Sequence, residues 1–400
     1  MSGTGDSLFR NVNFMRLWVG QGVSFAGDAV SMIALVVLVV QIAGSASAVG
    51  GALVARLLPT LASPLAGVLA DRLDRRIVLV ASDLARAVLV LGIIFVKDLV
   101  VLYLLVFLMG LARTFFNPTI RAAFPSVVGG GDLTRANALV SGTFSVSETV
   151  GPALGGLLVA AVGVNAAFAL DSVTYLISAA FLSRIPLARP EREEESGFGQ
   201  ELKAGFVYLA GERVPLSIVI GAFLTILAIN TTIPAEIFLA KDTFEVGDAG
   251  YGLIVGLWGG GMVLGSAAIA ASGDRNRPLP FYFLSIFMSA LALAGTGLSP
   301  TFVLALVALT VAGFANGIDD ITASTILQES VPDAFLGRVF AVRFFGYGVG
   351  EVLAYPVGGA IVDSSGPRFT YLFAGSATGV AGLLALLLVA TAASKRSQKD

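Results

Sequence analysis

Cysteine and histidine are both missing from the 400 residues, and charge is scarce, with Asp, Glu, Lys and Arg together making up 13%. Without cysteine there is no disulfide and no thiolate nucleophile or metal ligand. Without histidine the commonest near-neutral proton carrier is missing too, so proton handling falls to carboxylates, and no metal or cofactor is expected. No Gly-Lys dipeptide occurs, which removes a Walker P-loop and with it ATP-driven pumping by this chain. No Gly-x-Ser-x-Gly elbow occurs either, so the chain is not read as an enzyme. The basic residues are scattered and the net charge is -2, which offers no surface for nucleic acid.

What the chain does have is apolar residues, 56% of the total, with a mean hydropathy of +0.88. A soluble domain carries about 25% charged residues to cover its surface, so the solvent for most of this chain is lipid. A helix crossing the bilayer needs about 20 mostly apolar residues. Twelve runs satisfy this, at 14–43, 47–70, 77–96, 99–121, 137–162, 164–185, 215–240, 249–272, 279–298, 301–328, 338–362 and 368–392. Ala46-Ser47-Ala48 has the look of a signal-peptidase site. The run before it is long and interrupted by polar residues, and its removal would leave an odd number of spans, so it is retained as span 1. Most Lys and Arg fall on one side when the N-terminus is cytoplasmic, with only Lys97, Lys241 and Arg368 outside. The positive-inside rule then places both termini in the cytoplasm and the chain in the cell's inner (plasma) membrane.

The chain repeats itself at an offset of 203 residues: Asp71-Arg72 maps onto Asp274-Arg275, Gly110 onto Gly313, Arg135 onto Arg338, Glu148 onto Glu351, and Gly155-Gly156 onto Gly358-Gly359. Charged residues in or beside spans are rare enough for such matches to carry weight. The expected fold is an all-α membrane protein, twelve transmembrane helices in two pseudo-symmetric six-helix halves at 1–185 and 215–400. The linker at 186–214 turns to Pro, Glu and Arg, and its second part has Leu202, Phe206 and Leu209 at helical spacing, which predicts a short amphipathic helix on the cytoplasmic interface.

Between spans 2 and 3 stands GVLADRLDRRIVL, in which Asp71 faces the cluster Arg72, Arg75 and Arg76. The spacing resembles the loop signature G-x-L-a-D-r-x-G-r-k of the major facilitator superfamily, with Gly67, Leu69, Asp71, Arg72, Arg75 and Arg76 matching and Asp74 in place of the second Gly. That resemblance implies a gating latch in which Asp71 engages the start of span 11 near Arg338. Gly151-Pro152-Ala153-Leu154-Gly155-Gly156 in span 5 is similar to the G-P-x-x-G-G motif of drug/proton antiporters in that superfamily; the glycines allow close helix packing. LWVGQGVSFAGDAVSMIAL and ARLLPTLASPLAGVLADRLDRR look like the branch of macrolide-type and siderophore exporters. The span 4 motif of the superfamily is met only at Arg113, with Phe116 and Asn117 where Gln and Gly are usual.

A charge at mid-span costs about 2.5–3.5 kcal/mol on insertion scales, so each needs a partner or an aqueous cavity. Asp28, Glu148, Asp319, Asp320 and Glu351 are the proton-coupling candidates. Because the resembling family lines its cavity with spans 1, 4, 7 and 10, Asp28, Arg113 and Asp319 are the substrate-cavity candidates. Asp319 and Asp320 point about 100° apart and cannot face the same way. The alternative role for each acid is a packing charge paired with Arg56, Arg113 or Arg343. Asp83 and Arg86 are expected to form an intrahelical pair, Asp171 and Arg56 to lie toward the outside, and Glu236 to reach solvent at the outer end of span 7. The resulting expectation is a monomeric, proton-driven exporter of hydrophobic or amphiphilic small molecules. Proton-coupled uptake and receptor duty are the alternatives.

Overall fold

The computed structural model describes residues 5–63, 66, 69, 72–128, 132–187, 198–272 and 278–396. Among these residues the chain is helical, and ten helices are long and apolar enough to cross a membrane. They are α1 (Val12–Ala43), α4 (Leu99–Val128), α5 (Leu133–Val162), α6 (Val164–Leu182), α7 (Arg213–Thr243), α8 (Gly247–Ala271), α9 (Pro278–Leu298), α10 (Phe302–Ser330), α11 (Asp333–Ser365) and α12 (Pro367–Thr391). The remaining two of the twelve runs are α2 (Ala46–Leu57), which tightens into a 3-10 turn over Leu58–Ala62, and α3 (Arg75–Ile93). Pro59 in that turn cannot donate to an α-helical ladder, and α3 carries four charged residues (Arg75, Arg76, Asp83 and Arg86), so both fall short of a uniform apolar helix. Among the described residues all twelve apolar runs are thus helical, in order, in the fold of two six-helix halves.

Local chemistry sets the helix ends. Asn11 caps α1, its Oδ1 accepting from the amides of Asn13 at 3.0 Å and Phe14 at 3.1 Å. Asp74 caps α3 in the same way, accepting from Arg76 N at 2.9 Å, with an ordinary negative φ of -66°. The Asp that replaces the signature's second glycine therefore serves as a helix cap.

The run at 215–240 is not one helix. α7 is broken after Asn230, resumes at Ile233–Phe238 and ends in a π turn over Leu239–Thr243. Pro234 lacks an amide proton and its ring collides with the carbonyl of residue 230. The carbonyls near the break find side-chain donors instead: Asn230 Nδ2 to Ile226 O at 2.9 Å, Thr231 Oγ1 to Ala228 O at 2.7 Å and Thr232 Oγ1 to Ile229 O at 2.8 Å. A broken helix survives in a membrane only with such satisfaction.

The residues group into two compact units, one of Met1–Gly44, Gly51–Glu194 and Gly247–Gly252, the other of Ser45–Gly50, Glu195–Val246 and Leu253–Asp400. In the first, α1 packs on α5 and α6, and α3 on α4 and α6. In the second, α7 packs on the α11–α12 segment and α9 on α10 and that segment, which is the same plan. The duplication reaches single contacts. A Cβ on Gly110 of α4 would lie 3.2 Å from the Arg56 carbonyl carbon of α2, and one on Gly313 of α10 would lie 3.0 Å from the Trp258 carbonyl carbon of α8. Gly163, between α5 and α6, has φ 85° and ψ 169°; Gly366, between α11 and α12, has φ 83° and ψ 167°.

The second unit also holds a helix at Phe198–Gly211. Its Leu209 is fully buried with Leu202 packed against the same core, and Tyr208 stacks on Phe335 of α11 at 4.6 Å, whereas Phe206 faces outward. Residues Ser45–Gly50 join this unit through Asp363 of α11, whose carboxylate accepts from the amides of Ala46 at 2.7 Å and Ser47 at 2.9 Å.

Candidate functional site: a buried charge cluster in the first unit

Four charged side chains from three helices, α1, α3 and α6, meet in the first unit. Asp28 of α1 accepts a hydrogen bond from the phenol of Tyr175 on α6. Arg86 of α3 is ion-paired to Asp83 one turn earlier, and its guanidinium is held between two rings, 4.5 Å from the centroid of Phe116 and 4.4 Å from that of Tyr175. Such stacking satisfies the faces of a buried cation as the ion pair satisfies its edge. Asp171 of α6 is fully buried four residues before Tyr175, on the same helix face.

α1 and α6 approach closely here because residue 27 is glycine. A Cβ on Gly27 would stand 2.6 Å from Asp171 Oδ1, so a larger residue must displace the Asp171 and Thr174 side chains or push the helices apart. Ser172 Oγ donates to Ala87 O of α3 at 3.0 Å, and Gln21 Nε2 of α1 reaches Ser178 Oγ at 3.4 Å. The three helices are thereby locked around the charges.

The cluster opens on a recess whose wall includes Asp28, Arg56, Arg86, Arg113, Asp171 and Tyr175, with Met32, Leu35, Ile93 and Val106 as apolar lining. Arg56 donates to the sulfur of Met32. Charged and apolar side chains thus share one wall of this recess.

Of the candidates named from the sequence, Asp28 and Arg113 therefore share one recess. Glu148 is exposed on α5 and Glu351 half-buried on α11. In the second unit Asp319 is buried, with its Oδ1 lacking a hydrogen-bond partner. Asp320 faces the other way, largely exposed, and pairs with Arg343 of α11 at 2.8 Å. Arg343 itself is almost wholly buried and also donates to Tyr347 Oη at 2.8 Å and Ser324 Oγ at 2.6 Å. Gly151 and Gly155 of α5 lie against Ala29 and Val30 of α1, Pro152 is buried beside them, and Gly156 lies against Gly252. Of the gating residues, Gly67 and Asp71 fall outside the described residues; Arg72 and Arg76 are exposed, Arg75 is half-buried, and Arg338 stacks on Phe335 at 5.4 Å.

Glu236 departs from the expectation. It is buried, only 8% exposed, because the break at Pro234 starts a separate helix whose residues Pro234 to Phe238 are all enclosed. Tyr175 was not singled out in the sequence, since a tyrosine registers neither as charge nor as apolar interruption. Its place four residues after an intramembrane aspartate was the available signal.

The comparisons with known proteins agree with this architecture. The family model described as transmembrane secretion effector matches residues 4–390. The putative bacilysin exporter BacE of Bacillus subtilis (strain 168) is 30% identical over 339 residues, 82% of this chain and 84% of that protein. Macrolide efflux protein A of Streptococcus pyogenes is 25% identical over 383 residues, 91% of this chain and 93% of that one. Among solved structures, a nucleoside transporter NupG superposes with a TM-score of 0.81 at 13% identity, covering 94% of this chain and 99% of that one, which speaks for the fold alone. Twelve spans, a duplicated plan and a match over nearly the whole length lead to one assignment: the chain belongs to the transmembrane secretion effector family of the major facilitator superfamily, and is a multi-pass membrane transporter.

Proposed function

We propose that this transporter is a proton-coupled exporter of hydrophobic or amphiphilic small molecules, working by alternating access of the halves 1–185 and 215–400. It acts as a monomer in the inner membrane with both termini cytoplasmic. The observation that carries the reading is the Tyr175–Asp28 hydrogen bond on the wall of a recess that mixes charged and apolar side chains. Asp28 is half-buried on that wall, open both to water and to whatever occupies the recess, and under this proposal it is the group that exchanges proton for cargo. Proton uptake at Asp28 removes the anion that Tyr175 addresses, and cargo release and proton loading then alternate at one place. Export as the direction is supported by relatives named for bacilysin export and macrolide efflux. Asp319, Asp320, Glu148 and Glu351 remain secondary coupling positions under this proposal.

The test uses inverted membrane vesicles with ethidium as the probe. A respiration-generated proton gradient should drive ethidium into vesicles carrying the wild type, an uncoupler should stop it, and Asp28→Asn should bring accumulation to the level of vesicles without the protein. Equal accumulation with and without the protein overturns the proposal, as does uptake confined to whole cells.

A further inference from the structure

The recess of the first unit is unevenly satisfied: both its acids have donors, and two of its three guanidiniums lack an oxygen to donate to. Asp28 accepts from the Tyr175 phenol. Asp171 accepts from Thr174 Oγ1 at 3.2 Å, with Ser31 as a second donor. Arg86 is committed to Asp83 and to the rings of Phe116 and Tyr175. Arg56 and Arg113 line the same recess half-buried, and neither is ion-paired among the described residues. Arg56 donates to the thioether sulfur of Met32, a weak acceptor. Arg113 has no hydrogen-bond partner among the described residues. A guanidinium carries five N–H donors and keeps its charge, so this wall offers many donors and few acceptors.

Packing brings the two cations together. Gly110 of α4 lies so close to α2 that a Cβ on it would stand 3.2 Å from the Arg56 carbonyl carbon. Arg113 follows Gly110 by three residues and so projects from the same face of α4. Arg56 stands in the last turn of α2. The basic wall is therefore built by α2 and α4, whereas Asp28 and Asp171 stand on α1 and α6. Leu35, Ile93, Val106 and Phe168 supply apolar surface in the same recess. A carboxylate matches a guanidinium fork with two oxygens, and a charge-assisted bond of that kind is among the strong ones.

We infer that Arg56 and Arg113 form a binding site for a carboxylate, the anionic head of an amphiphilic molecule whose apolar part lies against Leu35, Ile93 and Phe168. That the bound molecule is cargo rests on the export reading above; the anion site does not.

The test is equilibrium binding to the full-length protein in phosphatidylcholine nanodiscs, with no gradient applied. The probes are N-dansyl-leucine, a carboxylate, and N-dansyl-leucinamide, its neutral counterpart, read by dansyl emission above that of empty discs. The acid should bind the wild type about tenfold or more tighter than the amide. The ratio should fall towards one in Arg56→Gln/Arg113→Gln and survive in Arg56→Lys/Arg113→Lys, which keeps both charges. Where the double glutamine variant does not fold, Arg113→Gln alone should lower the ratio severalfold. Acid and amide binding alike, no saturable binding of either, or a preference that survives loss of both arginines overturns the inference. Phosphatidylglycerol added to the discs separates cargo from lipid: the wild-type ratio should stay above that of the double glutamine variant in the same discs. Equal ratios there would give the site to a lipid headgroup and overturn the cargo assignment. Ethidium is a cation and makes no use of the pair, so a failed ethidium assay strikes the export reading and a failed acid preference strikes this one.

Discussion

Tyr175 donates its phenolic proton to Asp28 across 147 positions of sequence, and the same ring forms one face of the clamp on Arg86 at 4.4 Å. One side chain thus touches both the proposed proton site and the buried cation. Tyr175→Phe keeps the ring and deletes the donor. Leaving the Asp28 acceptor unanswered should cost about 1–3 kcal/mol, read as a lower melting temperature of the purified protein. Proton-driven ethidium accumulation should fall in the same variant, because Asp28 then loses the hydrogen-bond donor that positions it.

Asp83 and Arg86 should behave as a unit. Removing one partner of a buried pair leaves a bare charge, with a typical loss of about 3–5 kcal/mol. Arg86→Gln alone should therefore destabilise strongly, while Asp83→Asn combined with Arg86→Gln should recover much of the loss. Melting curves of the two singles and the double form the cycle. Additive losses would show that the pair is not what holds these residues in place.

Gly27→Ala should crowd the α1–α6 contact, since its Cβ would fall 2.6 Å from Asp171 Oδ1 and displace that side chain. Overpacking of this kind costs about 1–3 kcal/mol. Gly142→Ala on α5 is the matched control: nothing stands within 4 Å of its added methyl, and helix propensity alone favours alanine by about 0.8–1.0 kcal/mol. The first should lower the melting temperature and the second leave it level or raise it.

Asp363→Ala should free the first turn of α2, because the amides of Ala46 and Ser47 lose their acceptor. Loss of such a cap costs about 1 kcal/mol. Hydrogen exchange followed by mass spectrometry should show faster exchange confined to a peptide covering residues 46–50.

The fold was legible because lipid imposes one rule, twenty apolar residues per crossing, that a sequence displays openly. The break in α7 was less so: hydropathy sees the apolar run through Thr231-Thr232-Ile233-Pro234 and does not see the missing amide. The site was legible only in parts. Asp28, Asp83, Arg86 and Asp171 each stand out as charges in apolar helices, and counting residues gives their depth. Depth does not give azimuth, and which helices are neighbours is a property of the packing. That is why Asp83–Arg86 reads as a local pair, and why its contact with Tyr175, and so with Asp28, emerges only when α1, α3 and α6 are assembled.

Gly163 and Gly366 stand 203 residues apart with dihedral angles that agree within 2°, at joints where an alanine would be strained by about 1–3 kcal/mol. The ionisable groups tell the opposite story: one half gathers its charges on α1, α3 and α6 and the other on α10 and α11, with no shared position among Asp28, Asp83, Arg86, Asp171, Asp319, Asp320 and Arg343. The two halves thus keep one backbone joint in common while their buried charges sit at different positions. A substitution among the charges of one half should therefore leave both joints as they are.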